Sequence, residues 1–167
     1  VNIMHALTDY SSLVKTAVEE HADLIVCGAG IPKDLPNYIK NRDNPPLLVP
    51  IVSSARGAEI IIRSWKYTPD AIIVEGPKAG GHLGYSREEL ENPNFVKFGL
   101  ERILVEVAQK ISPTIPLIAA GGIYTGKDIY NIIKHGAAGV QMATRFVTTK
   151  ECDANDAFKQ AYINSSE

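Results

Sequence analysis

Glu75 closes the apolar run Ala71-Ile72-Ile73-Val74, and His82 follows within Ala79-Gly80-Gly81-His82-Leu83-Gly84. Histidine has the side chain whose ordinary pKa lies nearest neutrality. An imidazole just past the carboxyl end of a buried strand is therefore a natural proton acceptor or donor. The adjacent Gly80 and Gly81 remove side chains where a planar group could approach the backbone. A lone carboxylate is costly to bury, so Glu75 at a strand end reads as an acceptor for a ligand's hydroxyls or ring N–H. A loop histidine can also serve only a local hydrogen bond, and what surrounds it decides between the two.

Two further turns carry a different chemistry. Leu117-Ile118-Ala119-Ala120 runs into Gly121-Gly122-Ile123, and Gly139-Val140-Gln141-Met142 runs into Ala143-Thr144-Arg145-Phe146. Small residues between a strand and a helix leave backbone N–H groups open to an anion, and a phosphate is the usual occupant. A sugar phosphate, a nucleotide and a flavin would all satisfy these turns. A glycine turn that merely leads into a helix with positive φ is the plainer alternative. Arg145 could pair with phosphate or form an exposed ion pair. Ser53 and Ser54 could bond a ligand or cap a helix. His5 lies in the first strand, as core or pocket lining; His21 sits at a helix end before a strand, and His135 occupies the last turn of a helix, where a cation suits the helix dipole.

Short apolar runs rich in β-branched residues alternate with helical patterns. The runs span residues 2–7, 24–27, 47–52, 71–75, 117–120 and 139–142. Leu13, Val14, Ala17 and Val18 share one helical face, as do Ile103, Leu104, Val107, Ala108 and Ile111, and later Ile129, Ile132 and Ile133. Thr125-Gly126-Lys127-Asp128 has the form of a capping box with Asp in place of Glu. Strands apolar on both faces and alternating with helices make an α/β fold with a parallel sheet. Strands start every 22–24 residues, except between 71 and 117, where the interval doubles. Residues 76–99 are polar, Gly-rich and Pro-broken, so they read as a long active-site loop, with 85–99 as a lid. No Gly-rich dinucleotide turn follows the first strand. Phosphate grips after the last two strands favour a (β/α)8 TIM barrel. About six βα units would then be present, the third to the eighth, in one partial domain over 1–167.

The chain has 167 residues, 45% of them hydrophobic and 22% charged, with a net charge of −2. Those values suit one well-cored domain and argue against a nucleic-acid partner. The two cysteines, Cys27 and Cys152, lack metal-ligand spacing, so no metal is expected and a reduced, cytoplasmic setting is. No apolar run approaches the ~20 residues of a membrane span.

Val74-Glu75-Gly76-Pro77-Lys78-Ala79-Gly80-Gly81-His82-Leu83-Gly84 resembles the glycine-histidine signature of the nitronate monooxygenases, formerly 2-nitropropane dioxygenases. Residues 115–123 and 138–146 resemble that family's two FMN-phosphate segments, and the flavin-dependent enoyl-acyl carrier protein reductases share all three. The resemblance implies a TIM barrel that binds FMN non-covalently. Gly121, Gly122, Ala143 and Thr144 would hold its phosphate, Gly80 and Gly81 would lie against the isoalloxazine, Glu75 would face the ribityl chain or ring edge, and His82 would be the catalytic base. It further implies a small-molecule substrate, NAD(P)H as a candidate electron donor, and a homodimer as the candidate assembly. Ala143 stands where the family usually has Gly, and Lys78 replaces a residue that is commonly acidic or apolar. The family's first two βα units and most of its C-terminal helical segment have no counterpart here. The nitroalkane-oxidising enzyme is the leading expectation and the NAD(P)H-dependent reductase the second. An inosine-phosphate dehydrogenase-like barrel would need a loop cysteine with the surrounding motif, which neither cysteine has. An inactive barrel fragment is the non-enzymatic alternative.

Overall fold

A computed structural model describes residues 1–40 and 42–165; residues 41, 166 and 167, included in the single-domain expectation, lie outside the described residues. The strands are β1 (Asn2–Met4), β2 (Leu24–Gly28), β3 (Leu47–Val52), β4 (Ile72–Glu75), β5 (Leu117–Ala120) and β6 (Gly139–Gln141). The helices are α1 (Tyr10–Glu19), α2 (Ala55–Ser64), α3 (Arg87–Glu91), α4 (Pro93–Ala108), α5 (Gly126–Lys134), α6 (Thr144–Val147) and α7 (Asp156–Asn164). All neighbouring strands run parallel, in the order β1-β2-β3-β4-β5-β6. Spatial order that equals chain order separates a barrel wall from a doubly wound sheet, whose order reverses at a switch point. The architecture is α/β, a partial TIM barrel.

Burial on both faces follows from that order. Ile25, Cys27, Leu48, Ile72, Val74, Leu117 and Ala119 meet Val14, Ala58, Ile61, Leu104 and Ile132 of the helices in one large core. Alternate strand residues point the other way: Val49, Ile73 and Ala120 are buried there, with Val26, Ile51 and Ile118 beside them. Successive side chains on a strand take opposite faces, so each strand must be apolar throughout. Burying each Leu, Ile or Val contributes roughly 1.5–3 kcal/mol.

Two expectations need correction. Among its described residues, the connection from β2 to β3 carries no α-helix, only a short 3-10 helix at Leu35–Tyr38. Pro32, Pro36, Pro45 and Pro46 interrupt that segment and remove the N–H donors a longer helix needs. The Trp65 indole Nε1 donates to the Pro32 carbonyl at 2.9 Å and so pins the segment to the core. Residues 76–99 are not one loop: the loop ends at Ser86, and the 85–99 stretch read as a lid holds α3 and the start of α4. Ser86 and Glu89 form a reciprocal capping box, and Asn92 Oδ1 accepts from the backbone N–H of Asn94 and Phe95 ahead of α4. The doubled interval is filled by helix; the sheet has no seventh strand among the described residues.

Candidate active site

The loop from Gly76 to Ser86 leaves β4 and is held at both ends. At its start, Ala79 N donates to the Gly76 carbonyl at 3.1 Å. The glycine turn after β5 presses against the same stretch. A Cβ on Gly121 (φ +96°) would stand 2.8 Å from the Ala79 amide nitrogen, and one on Gly122 (φ +72°) would stand 2.8 Å from the Lys78 Cβ. Both glycines are therefore demanded twice, by backbone conformation and by close approach. At the far end, a Cβ on Gly84 would fall 2.7 Å from Ser53 Oγ. The Tyr85 hydroxyl donates to the Glu75 carbonyl, and its ring meets Phe95 edge-on at 5.2 Å. Between the anchors the chain is open, for a Cβ on Gly81 (φ +88°) would meet nothing within 4 Å. His82 rides on this exposed span. Tyr85→Phe is expected to cost about 1 kcal/mol of stability, read as a lowered Tm, and to speed amide hydrogen exchange at residues 80–84.

A cleft of about 610 Å³ opens over the carboxyl ends of β4, β5 and β6. Glu75, Gly80, Gly121, Gly122, Ala143 and Thr144 all line it. His82 lines an adjoining hollow of about 310 Å³ over β2, β3 and β4, with Ser53, Ile51 and Leu83. Glu75 borders both. Gly81 lines neither, although it belongs to the connecting span. The sheet register explains the junction. Glu75 pairs with Ala120, and Ala120 with Gln141, so three strand ends stand level across the floor.

Burial lifts the Glu75 carboxyl above its ordinary value, against a hydrogen bond with Ser53 that lowers it. A carboxyl raised in the folded state favours folding most when protonated. That advantage is complete below the unfolded-state value, near 4.5, and is lost as pH rises through the higher folded value. Glu75→Gln removes the ionisation cost. The variant is expected to gain on the wild type as pH climbs from 4.5 and to match it below; Tm across pH reads this directly.

The first turns of α5 and α6 are closed differently. At α5, Thr125 and Asp128 close the first turn themselves. Asp128 Oδ2 accepts from Thr125 N at 2.7 Å and Tyr124 N at 3.2 Å, and Thr125 Oγ1 accepts from Asp128 N at 3.3 Å. Those bonds, Thr125's backbone first, hold the Asp128 carboxyl below its usual range. At α6, the N-cap residue is Ala143, which contributes no side-chain cap. Ala143, Thr144 and Arg145 of this turn all line the cleft.

Other candidates fall elsewhere. Ser54 caps α2, accepting from Gly57 N at 3.1 Å. His5 stacks edge-on against Tyr10 and lies 3.6 Å from Asp34. His135 Nδ1 bonds the Asn131 carbonyl at 2.8 Å, and His21 occupies a positive-φ position after α1. None of the three lines either hollow. Sequence reasoning passed over Gln141 and Tyr124, which line the cleft. Gln141 could have been found as the last residue of a strand level with Glu75; Tyr124 carries no such signal. No group of His, Cys, Asp and Glu able to hold a metal occurs among the described residues, and none of their helices is long and apolar enough to cross a membrane.

Comparison with known proteins fits this geometry. Residues 1–167 match the family model described as nitronate monooxygenase. A probable nitronate monooxygenase of Staphylococcus aureus (strain Newman) is 35% identical over 120 residues, which are 71% of this chain and 32% of that protein. The M276A mutant of FabK from Thermotoga maritima superposes with a TM-score of 0.80 at 31% identity, over 99% of this chain and 50% of that one. A nitroalkane oxidase from Streptomyces ansochromogenes shares the fold, with a TM-score of 0.72 at 24% identity, over 91% of this chain and 42% of that one. The chain thus spans half or less of the length of these relatives. It belongs to the nitronate monooxygenase family.

Proposed function

We propose that the protein is an FMN-dependent oxidoreductase that oxidises alkyl nitronates and nitroalkanes with dioxygen. The observation that carries this reading is the pair of adjoining hollows: phosphate-type turns on one side, His82 on the other, and Glu75 common to both. The cleft is of ordinary ligand-site size. Its lining also suits a flavin. Gly80 leaves a space that a Cβ would reach only at 4.0 Å from Thr144 Oγ1; Gly81, on the span beside the cleft, borders open space. Gly121, Gly122, Ala143 and Thr144 would hold the phosphate through backbone N–H groups. Gly80 and Gly81 would let the ring system lie close, and Glu75 would accept from the ribityl chain or ring edge.

Bound FMN supplies the electron transfer and oxygen chemistry that end in a carbonyl compound and nitrite. The chain supplies the proton chemistry and the shape. A His82 ring nitrogen takes the acidic α-proton of a neutral nitroalkane; protonated, the same ring holds the nitronate oxygens. Ile51 and Leu83 border that hollow and fit a short alkyl group. With this reading go a small-molecule substrate, a cytoplasmic setting and a homodimer.

The test is the flavin spectrum and oxygen uptake of the purified protein. A flavin spectrum with oxygen consumed on adding a nitronate is the expected result. Rapid anaerobic bleaching by NAD(P)H without nitronate turnover would instead identify an enoyl-acyl carrier protein reductase. A protein that takes up no flavin would end both readings.

A further inference from the structure

The hollow beside His82 changes character with depth. Its polar groups belong to the mouth: His82 on the open span, and Glu75 with Ser53 bonded to its carboxyl. Below them lies Ile51 of β3. Strand register gives its depth. Ile51 pairs with Ile73, two residues before Glu75 on β4, which places it ~6.6 Å below the level of Glu75 at ~3.3 Å per residue. Its side chain shares the inner face of the sheet with Val49 and Ile73. It also crosses toward β2. A Cβ on Gly28 would stand 2.8 Å from Ile51 Cδ1, 2.9 Å from its Cβ and 3.1 Å from its Cγ1, so Ile51 occupies the space of a Gly28 side chain. Shortening Ile51 opens that space, and Gly28 has nothing with which to refill it. Strand pairing on both sides of β3 keeps the backbones from closing over the gap.

Resting on the nitronate reading, we infer that Ile51 is the floor that limits the alkyl chain of the substrate, so that the hollow selects short primary nitronates over long ones. The nitronate group stays at the mouth with His82, and the chain points down to Ile51. Leu83 is the other large apolar group near His82, but it sits on the open span beside Gly81, where a Cβ would meet nothing within 4 Å. It can yield to a ligand, whereas a strand residue packed on its neighbours cannot. One methylene too many against a fixed apolar wall changes kcat/KM by about 10–200-fold. Ile51 does not border the cleft over β4, β5 and β6, so its truncation leaves flavin affinity alone.

Values of kcat/KM for the preformed nitronates of nitroethane, 1-nitropropane, 1-nitrobutane and 1-nitrohexane test this in the wild type, Ile51→Val, Ile51→Ala and Leu83→Ala. Ile133→Ala, at an exposed position on α5, serves as the control. The wild type is expected to favour the short chains. Ile51→Ala should raise the hexyl-to-ethyl ratio about 10-fold or more, Ile51→Val should raise it by a smaller factor, and Leu83→Ala should move it less than about twofold. A wild type that takes the hexyl chain as well as the ethyl overturns the proposal. So does an unchanged ratio in the Ile51 variants, or an equal shift in Leu83→Ala. Should Ile51→Ala fail to fold, Ile51→Val decides alone. If the wild type oxidises no nitronate, the proposed activity fails separately. The same nitronates then decide by NMR titration of the His82 imidazole. Weaker binding of longer chains that Ile51→Val relieves upholds the floor; no binding to the wild type, or a chain-length dependence unchanged in Ile51→Val, overturns it.

Discussion

Asparagine in place of His82 is expected to lower turnover of neutral nitroalkanes by about 10²–10⁴-fold while FMN affinity stays within about twofold. The amide can still donate a hydrogen bond but cannot accept a proton near neutral pH. His82 stands over the hollow of about 310 Å³, away from the glycine turn and α6 that border the larger cleft. Its replacement should therefore leave the phosphate grip intact. Preformed nitronate, which has no α-proton to lose, should be turned over far better by the variant than the neutral acid. Steady-state kinetics with both substrate forms, beside a flavin titration, measure the contrast. Equal loss with both forms would remove His82 from the role of base and leave it a binding residue.

The second large effect concerns Gly121. Alanine there must adopt φ near +96° and must place its methyl 2.8 Å from the Ala79 amide nitrogen. A non-glycine residue in such a conformation costs about 1–3 kcal/mol, and overpacking adds a similar amount. The neighbour cannot simply withdraw, because it is backbone and its N–H is bonded to Gly76. Gly121→Ala is expected to lower Tm markedly and to lose FMN, since the turn and the loop bearing His82 must part. Gly126 supplies the internal contrast. A Cβ there meets nothing within 4 Å, at the first residue of α5. Gly126→Ala should be neutral or stabilising by up to about 1 kcal/mol. Calorimetry of the two variants separates the turn's special demand from a general intolerance of glycine replacement; equal Tm values would refute it.

Local signals were read well where side chains act over three or four residues. Thr125 and Asp128 form the capping box that their spacing implies, and Ser54 caps α2 as one of its two candidate roles. The helix at Arg87–Glu91 escaped notice for the opposite reason. It buries none of its residues, so it has no apolar stripe, and hydrophobic periodicity is silent about it. Its signal was there in Ser86 and Glu89, but a capping box without an apolar run behind it resembles any polar loop. The proline-broken stretch after β2 shows the same limit from the other side: an even strand interval implied a helix that proline forbids.

The sequence by itself determined the α/β class, the even succession of βα units, the family resemblance and the identity of the chemically able residues. These depend on periodicity and short motifs, which are written along the chain. Only the tertiary structure decided that His82 and the phosphate-type turns occupy two hollows divided by Glu75 rather than one. It alone revealed that Gly121 and Gly122 are small because Ala79 and Lys78 lie against them. Such contacts join residues far apart in sequence, and they arise from strand register and from where one loop comes to rest on another. No local pattern encodes either.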